Sequence, residues 1–332
     1  MSTAPYAKDP YSACSIDQYW HNYISGGVGG SGGMGGQQGG AGGTGEGPKM
    51  YYDVKTPQFT VNNLGVHIHG SGSEQQRQMN DAERTEIIDW LSPMNFFLRH
   101  ADISQARQQG TGGWLLMDTH FQKWEFDSGR TLWCHGIPGA GKTVLASLVV
   151  EHLSATFQNQ NIGVACIYLA HKEAEDQTPT KLLTGLWRQL VLGKDVGSLA
   201  KQLYWQHKEK RTTLTLDQAF SVLYTAITGF SKVYMVIDAV DEYPEVQRQV
   251  LFKYLGMLGS TVNLMITSRP HITLHSSLPN PTTLEIRASE DDIRKYVDDQ
   301  IQISWRLTKH IQTQPDLREE IHSAITHTVD GM

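Results

Sequence analysis

The run GIPGAGKT at positions 136–143 constrains the fold of this chain more than any other feature. It has the form G-x-x-x-x-G-K-T, follows an apolar segment at 131–134, and opens a helical pattern that begins at Lys142. A strand, a glycine turn and a helix in this order place backbone N–H groups around phosphate oxygens at a helix N-terminus. The run therefore predicts a phosphate-binding loop in an α/β fold, and its full length disfavours a chance glycine turn.

The residues of this loop have separable roles. The glycines allow the backbone to close around phosphate oxygens, and the helix N-terminus adds a partial positive charge. We expect Lys142 to contact the β- and γ-phosphates and the hydroxyl of Thr143 to bind Mg²⁺. The candidate nucleotide-binding residues are Gly136, Gly139, Ala140, Gly141, Lys142, Thr143 and Val144.

Three acidic residues follow a second apolar segment, residues 233–237. Asp238 comes at its end, where an aspartate can bind Mg²⁺ directly or through water. Asp241 and Glu242 follow at a spacing from which a carboxylate could orient or deprotonate an attacking water. The sequence favours Glu242 as the catalytic carboxylate and leaves Asp241 as the alternative.

An arginine follows a third apolar segment, residues 262–267. Parallel strands end at the same edge of a sheet, so Arg269 is expected beside the phosphates. There its guanidinium can bind oxygens of the γ-phosphate through two N–H groups. The alternative is a surface arginine in a turn that Pro270 sets.

Apolar segments alternate with helical patterns from residue 81 onward, which predicts an α/β protein of the P-loop NTPase type. One more strand lies between the loop and the Asp238 strand, as in P-loop ATPases that keep a catalytic carboxylate on the sheet. We predict a parallel five-stranded sheet of order 5-1-4-3-2 flanked by helices. The predicted strands are 131–134, 162–169, 233–237, 262–267 and 283–287, and the predicted helices are 83–99 with a break at Pro93, 142–153, 179–190, 216–230, 246–258 and one opened by a capping box of Ser289 and Asp292.

The first 80 residues differ in composition from the rest. Fourteen of the 22 residues at 26–47 are glycine, so this stretch has little to bury. We expect it to be a flexible tether inside a disordered, low-complexity region, residues 1–80. Residues 51–70 are rich in β-formers, and we expect disorder or a docked hairpin there, with a short amyloid-like motif as the alternative.

Composition argues against several classes of function. The chain has 28 Lys and Arg against 34 Asp and Glu, a net charge of −6, which does not favour electrostatic binding of nucleic acid or of an anionic membrane. Its three cysteines include no Cys-x-x-Cys pair, and the N-terminus lacks the order of a signal peptide. No apolar run reaches the roughly 18 residues of a membrane span. We predict a cytoplasmic protein with no nucleic-acid and no membrane partner.

The motif regions resemble those of one known family. LWCHGIPGAGKTVLASLVVEHL, IDAVDEYP and MITSRP are similar to the P-loop, Walker B and sensor motifs of the NACHT domain. The similarity is to the form found in fungal NOD-like receptors and in the nephrocystin-type N-terminal P-loop domain, and it covers roughly residues 83–332. These proteins belong to the STAND class, the signal-transducing ATPases with numerous domains.

The resemblance implies a nucleotide switch. Bound ADP would hold an inactive form, and exchange for ATP would permit self-oligomerisation toward an effector protein that the sequence does not identify. The implied cofactors are ATP or ADP with Mg²⁺, although the motifs do not distinguish ATP from GTP, and hydrolysis would be slow. Residues 107–113 would help to form the base pocket.

The resemblance also implies a domain organisation. Residues 81–130 would be a helical linker, residues 131–288 the NACHT core, and residues 289–332 the start of a helical region that precedes a winged helix. The family continues into a winged helix and repeats that this sequence lacks, so we expect a truncated chain.

Two other functions are open. One is a P-loop ATPase with steady turnover on an unidentified substrate, and no second substrate-binding domain or basic groove is visible to support it. The other is an inactive interaction scaffold, against which the intact Lys142, Thr143, Asp238 and Glu242 count.

Overall fold

The computed structural model of the protein describes the backbone of residues 21–25, 49–53 and 73–329 and the side chains of residues 81–326. Contacts divide the chain into two units, Met1–Gly70 and Ser71–Met332. The described residues of the first unit form an antiparallel pair, β1 (His21–Ser25) and β2 (Lys49–Asp53). The predicted tether at 26–47, and all of the predicted 51–70 motif beyond residue 53, lie outside the described residues.

The second unit is built on a five-stranded parallel sheet. Its spatial order is β4-β5-β6-β3-β7. When the five strands of this sheet are numbered 1 to 5 in chain order, the spatial order is 2-3-4-1-5. This is the predicted order 5-1-4-3-2 read from the opposite edge. The predicted fold class, a P-loop NTPase with this sheet, is confirmed. The strands are β3 (Thr131–His135), β4 (Ile162–Tyr168), β5 (Lys232–Asp238), β6 (Val262–Ser268) and β7 (Pro281–Glu285).

Helices connect β3 to β4, β4 to β5 and β5 to β6 and continue after β7, whereas residues 269–280, between β6 and β7, form a loop. Local signals mark several of their ends; for example, the side chain of Thr178 accepts a hydrogen bond from the Lys181 N–H, and Pro179 follows in the first turn. Within the part of the chain that the structure describes, no helix combines the length and the apolar character needed to cross a membrane. The helices are α1 (Ser73–Leu91), α2 (Phe96–Ala106), α3 (Gly113–Met117), α4 (Thr119–Phe126), α5 (Lys142–Thr156), α6 (Pro179–Leu190), α7 (Ser198–Lys210), α8 (Leu216–Ile227), α9 (Glu245–Gly256), α10 (Glu290–Ile303), α11 (Trp305–Thr313) and α12 (Asp316–Val329).

Strand β5 shows how the core is divided between the two faces of the sheet. Met235 and Ile237 pack in one hydrophobic cluster, with side chains from α1, α6, α7, α8 and α9. Tyr234 and Val236 point to the other face and pack in a second cluster, with side chains from α3, α4 and α5. Because both faces are covered, residues 233–237 of the strand are hydrophobic, and Asp238 is its last residue.

Two features of the last segments differ from the prediction. The capping box of Ser289 and Asp292 is wrong: Ser289 precedes α10 without a side-chain cap, and the Asp292 carboxylate instead accepts a hydrogen bond from the Gly112 N–H at 2.9 Å. A tertiary contact has replaced the local one. Strand β7 begins two residues earlier than predicted, because its pairing with β3 sets Glu285 opposite His135.

Candidate functional site

The glycine-rich loop connects β3 to α5 at the carboxyl edge of the sheet. Gly139 and Gly141 have φ of 82° and 84°, in the left-handed region where a residue with a Cβ is strained. Gly141 immediately precedes α5 and has no side chain to cap it. The first N–H groups of that helix are therefore available to an anion.

Two residues of the glycine-rich loop, Gly136 and Ala140, pack against the protein interior. A Cβ on Gly136 would clash with the carbonyl oxygen of Ile286, so only glycine allows the end of β7 to approach this closely. The Gly136 N–H donates to the carbonyl oxygen of Ser268 at 3.1 Å. Ala140 is buried in the second hydrophobic cluster. Both residues shape the loop through packing.

Lys142 is folded back onto its own loop. Its Nζ donates hydrogen bonds to the carbonyl oxygens of Gly136, at 2.7 Å, and of Ile137, at 2.8 Å. Partial burial lowers the pKa of the ammonium group, and the nearby carboxylates of Asp241 and Asp238 act in the opposite direction. The lysine is thus inside the loop, with carbonyl partners that a phosphate could replace.

Asp238 is the buried acid of the site. One carboxylate oxygen accepts from the hydroxyl of Thr143 at 2.8 Å, and the other accepts from the hydroxyl of Thr267 at 2.6 Å. The residue is only 2% exposed, and this burial raises the pKa of its carboxyl group to about 6. The contact with Thr143 joins the two predicted metal-binding side chains.

Thr267 is a site residue to which the sequence analysis gave no role. It is buried near the end of β6, and its hydroxyl accepts a hydrogen bond from the Ala239 N–H at 2.9 Å while donating to Asp238. It therefore orients the carboxylate and the first residue of the following turn together. The available signal was a polar residue directly after the apolar run at residues 264–266, two positions before Arg269.

Asp241 and Arg269 form an ion pair at the mouth of the site. The Nε of Arg269 lies 3.0 Å from one carboxylate oxygen of Asp241, and the Arg269 backbone N–H donates to the other at 3.1 Å. The aspartate side chain is buried, whereas the arginine side chain is half-exposed. Asp241 is therefore engaged as the counterion of Arg269.

Glu242 is held from a neighbouring strand end. Its Oε2 accepts a hydrogen bond from the backbone N–H of His171, in the segment that follows β4, at 3.1 Å. The other carboxylate oxygen has no hydrogen-bond partner among the described residues. Of the two candidate carboxylates, Glu242 is the one without an ion-pair partner in the described part of the chain.

These side chains meet in one cleft of about 320 Å³. The cleft includes every predicted site residue except Gly136 and Ala140, together with Thr267. None of residues 107–113, the predicted base-pocket segment, lines it. Its lining is Pro138, Gly139, Gly141, Lys142, Thr143, Val144, Asp238, Ala239, Asp241, Glu242, Thr267 and Arg269.

The donor set fits the cofactors predicted from the sequence. Backbone N–H groups and an ammonium suit phosphate oxygens, and a hydroxyl beside a carboxylate suits Mg²⁺, which binds few protein oxygens when substrate phosphates supply others. The unpaired carboxylate oxygen of Glu242 can accept a proton, and Arg269 can neutralise negative charge. The cleft can therefore bind a phosphorylated ligand and assist attack of water on it.

The family model described as nephrocystin 3, N-terminal, matches residues 110–269, a range that contains the loop, the acidic turn and Arg269. No curated protein matches the sequence.

Solved structures with a similar fold include PCH-2 of C. elegans, at 15% identity and a TM-score of 0.32, covering 62% of this chain and 46% of that one. A Walker-type ATPase of Pyrococcus abyssi is 12% identical with a TM-score of 0.34 and 55% coverage of both chains. Domain III of the Thermotoga maritima replication initiation protein DnaA is 11% identical with a TM-score of 0.32, covering 61% of this chain and 74% of that one. The chain thus spans about half the length of the first two. Scores this low carry no argument about function.

Proposed function

We propose that this protein is a nucleotide-binding switch of the NACHT and STAND class, acting in the cytoplasm through nucleotide-dependent self-assembly. The observation that carries the proposal is the convergence of Lys142, Thr143, Asp238, Glu242 and Arg269 on one cleft at the carboxyl edge of the sheet. The match to the nephrocystin 3 N-terminal family supports the nephrocystin-type part of the resemblance noted from the sequence. The relation to fungal NOD-like receptors rests on the motifs alone.

Binding would begin at the loop. Phosphate oxygens of ATP or ADP would take the N–H groups at the start of α5, and Lys142 would exchange its two carbonyl partners for them. The residues that would hold Mg²⁺ are Thr143 and Asp238. When bound, the ion neutralises phosphate charge. GTP is not distinguished from ATP by any of these contacts.

Hydrolysis would use Glu242 as the group that accepts a proton from water, because Asp241 is committed to Arg269. Turnover is expected to be slow for a physical reason. The guanidinium of Arg269 is paired with Asp241, so it must turn away from that carboxylate before it can bind the γ-phosphate through two N–H groups. Groups that need such rearrangement suit a switch better than an enzyme with steady turnover.

Residues 110–112 provide a route by which the site could affect the region after the NTPase core. The Gly112 N–H donates to Asp292 at 2.9 Å, and Lys295 donates to the Gly110 carbonyl oxygen at 3.0 Å, so helix α10 holds these residues. A Cβ on Gly112 would meet Leu145 of α5, the helix that follows the phosphate loop. We propose that residues 131–288 act as the core and that α10 and the helices after it respond to the bound nucleotide through these contacts.

The runner-up functions predict different behaviour. An enzyme with steady turnover should exchange nucleotide freely and stay the same size in all nucleotide states. A scaffold should bind no nucleotide. A switch needs ATP to favour one form over another, and a shift from 1:99 to 99:1 takes about 5.5 kcal/mol of differential binding.

The experiment compares nucleotide content, hydrolysis and molecular mass of the purified chain. We expect stoichiometric bound ADP, hydrolysis slower than about one per minute against an enzyme range of roughly 1 to 10³ per second, and a mass increase by light scattering with ATP and not with ADP. The Arg269→Ala variant should retain ADP and lose the ATP-dependent mass increase. Rapid turnover by a monomer that exchanges ADP freely would contradict the switch.

A further inference from the structure

The turn that carries both candidate carboxylates, residues 239–243, lies beyond the end of the sheet. Ala239 has φ of 58°, an uncommon conformation for a residue with a side chain. Within the turn, the Glu242 N–H donates to the Ala239 carbonyl oxygen at 2.9 Å. Contacts from outside the turn must therefore fix the direction of the carboxylates.

Arg248, in the first part of α9, provides such a contact. Its Nη1 donates to the carbonyl oxygen of Val240 at 3.3 Å and to that of Tyr243 at 3.0 Å. These two carbonyls lie on either side of Asp241 and Glu242 in the chain. One guanidinium nitrogen thus joins the two ends of the segment that presents both acids.

The environment of Arg248 is unusual for a charged group. The residue is only 8% exposed, and no described carboxylate lies within ion-pair distance of its guanidinium. Its Nε is buried and has no hydrogen-bond partner among the described residues. A buried charge without a counterion is costly for folding, and the two turn carbonyls are the described groups to which its guanidinium donates.

The turn also separates two open spaces. On one side is the cleft that Lys142 lines, and on the other is a second cleft of about 530 Å³ whose lining includes Glu242, Arg248 and His271. Val240 and Tyr243 are buried in the hydrophobic core, and the two acids between them line both clefts. The bonds from Arg248 hold the main chain at these two buried residues from the α9 side.

We infer that Arg248 is a positioning residue for hydrolysis, which holds the turn so that Glu242 faces the nucleotide cleft. The inference rests on the function proposed above. It assigns to Arg248 no contact with the nucleotide, so its loss should change the rate of hydrolysis and leave nucleotide affinity nearly unchanged. Misplacement of a reacting group by about 1 Å can slow a reaction about 100-fold.

The test uses the full chain with Arg248→Met, which keeps an unbranched aliphatic stem and removes the donors. Single-turnover hydrolysis should be at least about tenfold slower, with the Kd of ATP within about threefold of wild type. Arg248→Lys, which keeps a charged donor on a shorter side chain, should hydrolyse at a rate between those of wild type and Arg248→Met. In a Glu242→Gln background, Arg248→Met should slow hydrolysis no further, because the group that it positions is already gone.

Arg84 offers a matched control. It also binds two main-chain carbonyls, those of Val191 and Lys194 just after α6, and none of these three residues lines the cleft. Arg84→Met should leave hydrolysis unchanged. Wild-type hydrolysis by Arg248→Met, an additive effect in the double variant, or equal slowing by Arg84→Met would each overturn the assignment. If the Met variant does not fold, wild-type hydrolysis by Arg248→Lys overturns it.

A second readout needs no nucleotide and so separates this inference from the proposed function. Hydrogen exchange at the Glu242 and Tyr243 amides, both bonded within the turn, should be at least about tenfold faster in Arg248→Met than in wild type or Arg84→Met. Unchanged exchange would show that Arg248 does not hold the turn. Failure of the wild-type chain to bind nucleotide would instead contradict the proposed function, and the exchange result would still decide the role of Arg248.

Discussion

The hydroxyl of Thr143 donates a hydrogen bond to the carboxylate of Asp238, with 2.8 Å between the two oxygens. The first residue follows the phosphate loop and the second ends β5, so this single contact joins the two motifs on which nucleotide binding depends. It also places a hydroxyl and a carboxylate where Mg²⁺ would need both. The buried acid is consequently a site at which function and stability make opposite demands.

Asp238→Asn tests whether the buried carboxylate lowers stability while it supports Mg²⁺ binding. Burial raises the pKa of Asp238 from 3.8 to about 6, so the folded protein holds the proton more tightly than the unfolded chain does. The ionised carboxylate therefore lowers the free energy of unfolding above pH 6, and this penalty disappears as the pH falls through 6 toward 4. At about 1.4 kcal/mol per unit the penalty is on the order of 3 kcal/mol. Without nucleotide and with a chelator, Asp238→Asn should unfold at a higher temperature than wild type at pH 8.

The difference between Asp238→Asn and wild type should shrink as the pH falls and vanish near pH 4, because the wild-type carboxyl is then protonated. The hydroxyls of Thr143 and Thr267 can rotate to accept from the new amide, so the hydrogen bonds need not be lost. The same variant should lose the Mg²⁺-dependent part of its nucleotide affinity. A variant less stable than wild type at pH 8 would contradict the burial argument.

Glu242→Gln separates binding from hydrolysis. The Gln carbonyl can still accept from the His171 N–H, so the turn should keep its place, but an amide cannot take a proton from water. We expect nucleotide affinity within about threefold of wild type and single-turnover hydrolysis slower by a factor of about 10² or more. Rates from rapid-quench measurements check this.

Asp241→Asn is the control for Glu242→Gln. It removes the counterion of Arg269, a pair with one half-exposed partner, and should change the free energy of unfolding by less than about 1 kcal/mol. If Asp241→Asn abolishes hydrolysis while Glu242→Gln hydrolyses at the wild-type rate, the catalytic carboxylate has been assigned to the wrong neighbour.

Gly136→Ala tests the packing behind the loop. A Cβ at this position would clash with the carbonyl oxygen of Ile286, a backbone atom that cannot move without displacing the end of β7. We expect a loss of about 1–3 kcal/mol in the free energy of unfolding, measured by denaturant titration. Gly113→Ala is the matched control, because a Cβ there meets no atom within 4 Å. Equal stability of the two variants would show that the approach of β7 does not require glycine.

The sequence predicted the sheet and most of the cleft because those features depend on local signals. Apolar strands that end in polar residues, and glycines before a helix, identify the carboxyl edge of a parallel sheet, and chain order restricts which strands can be neighbours. The contact between Thr143 and Asp238 follows once the two strand ends are known to be adjacent.

The parts that sequence reasoning missed depend on contacts between distant segments. Asp292 has the spacing of a capping box, yet its carboxylate binds the Gly112 N–H, and no local pattern predicts that choice. Thr267 and Arg248 gain their roles from groups across the site, the Asp238 carboxylate and two turn carbonyls. Helix α7 was not predicted, although its buried residues Ala200, Leu203, Tyr204 and His207 recur at helical spacing.

The most direct test of the account is nucleotide titration of the Lys142→Ala variant. Among the described residues, Lys142 donates only to loop carbonyls, so its removal should leave the protein folded. It should also delete charge-assisted bonds to phosphate, each worth about 1.5–3 kcal/mol. Lys201→Ala, which removes an exposed lysine on α7, is the control. We predict that ADP and ATP affinity in the presence of Mg²⁺ falls at least about tenfold in Lys142→Ala and is unchanged in Lys201→Ala. Wild-type affinity in a folded Lys142→Ala protein would contradict the phosphate-binding role of the loop and the proposed function with it.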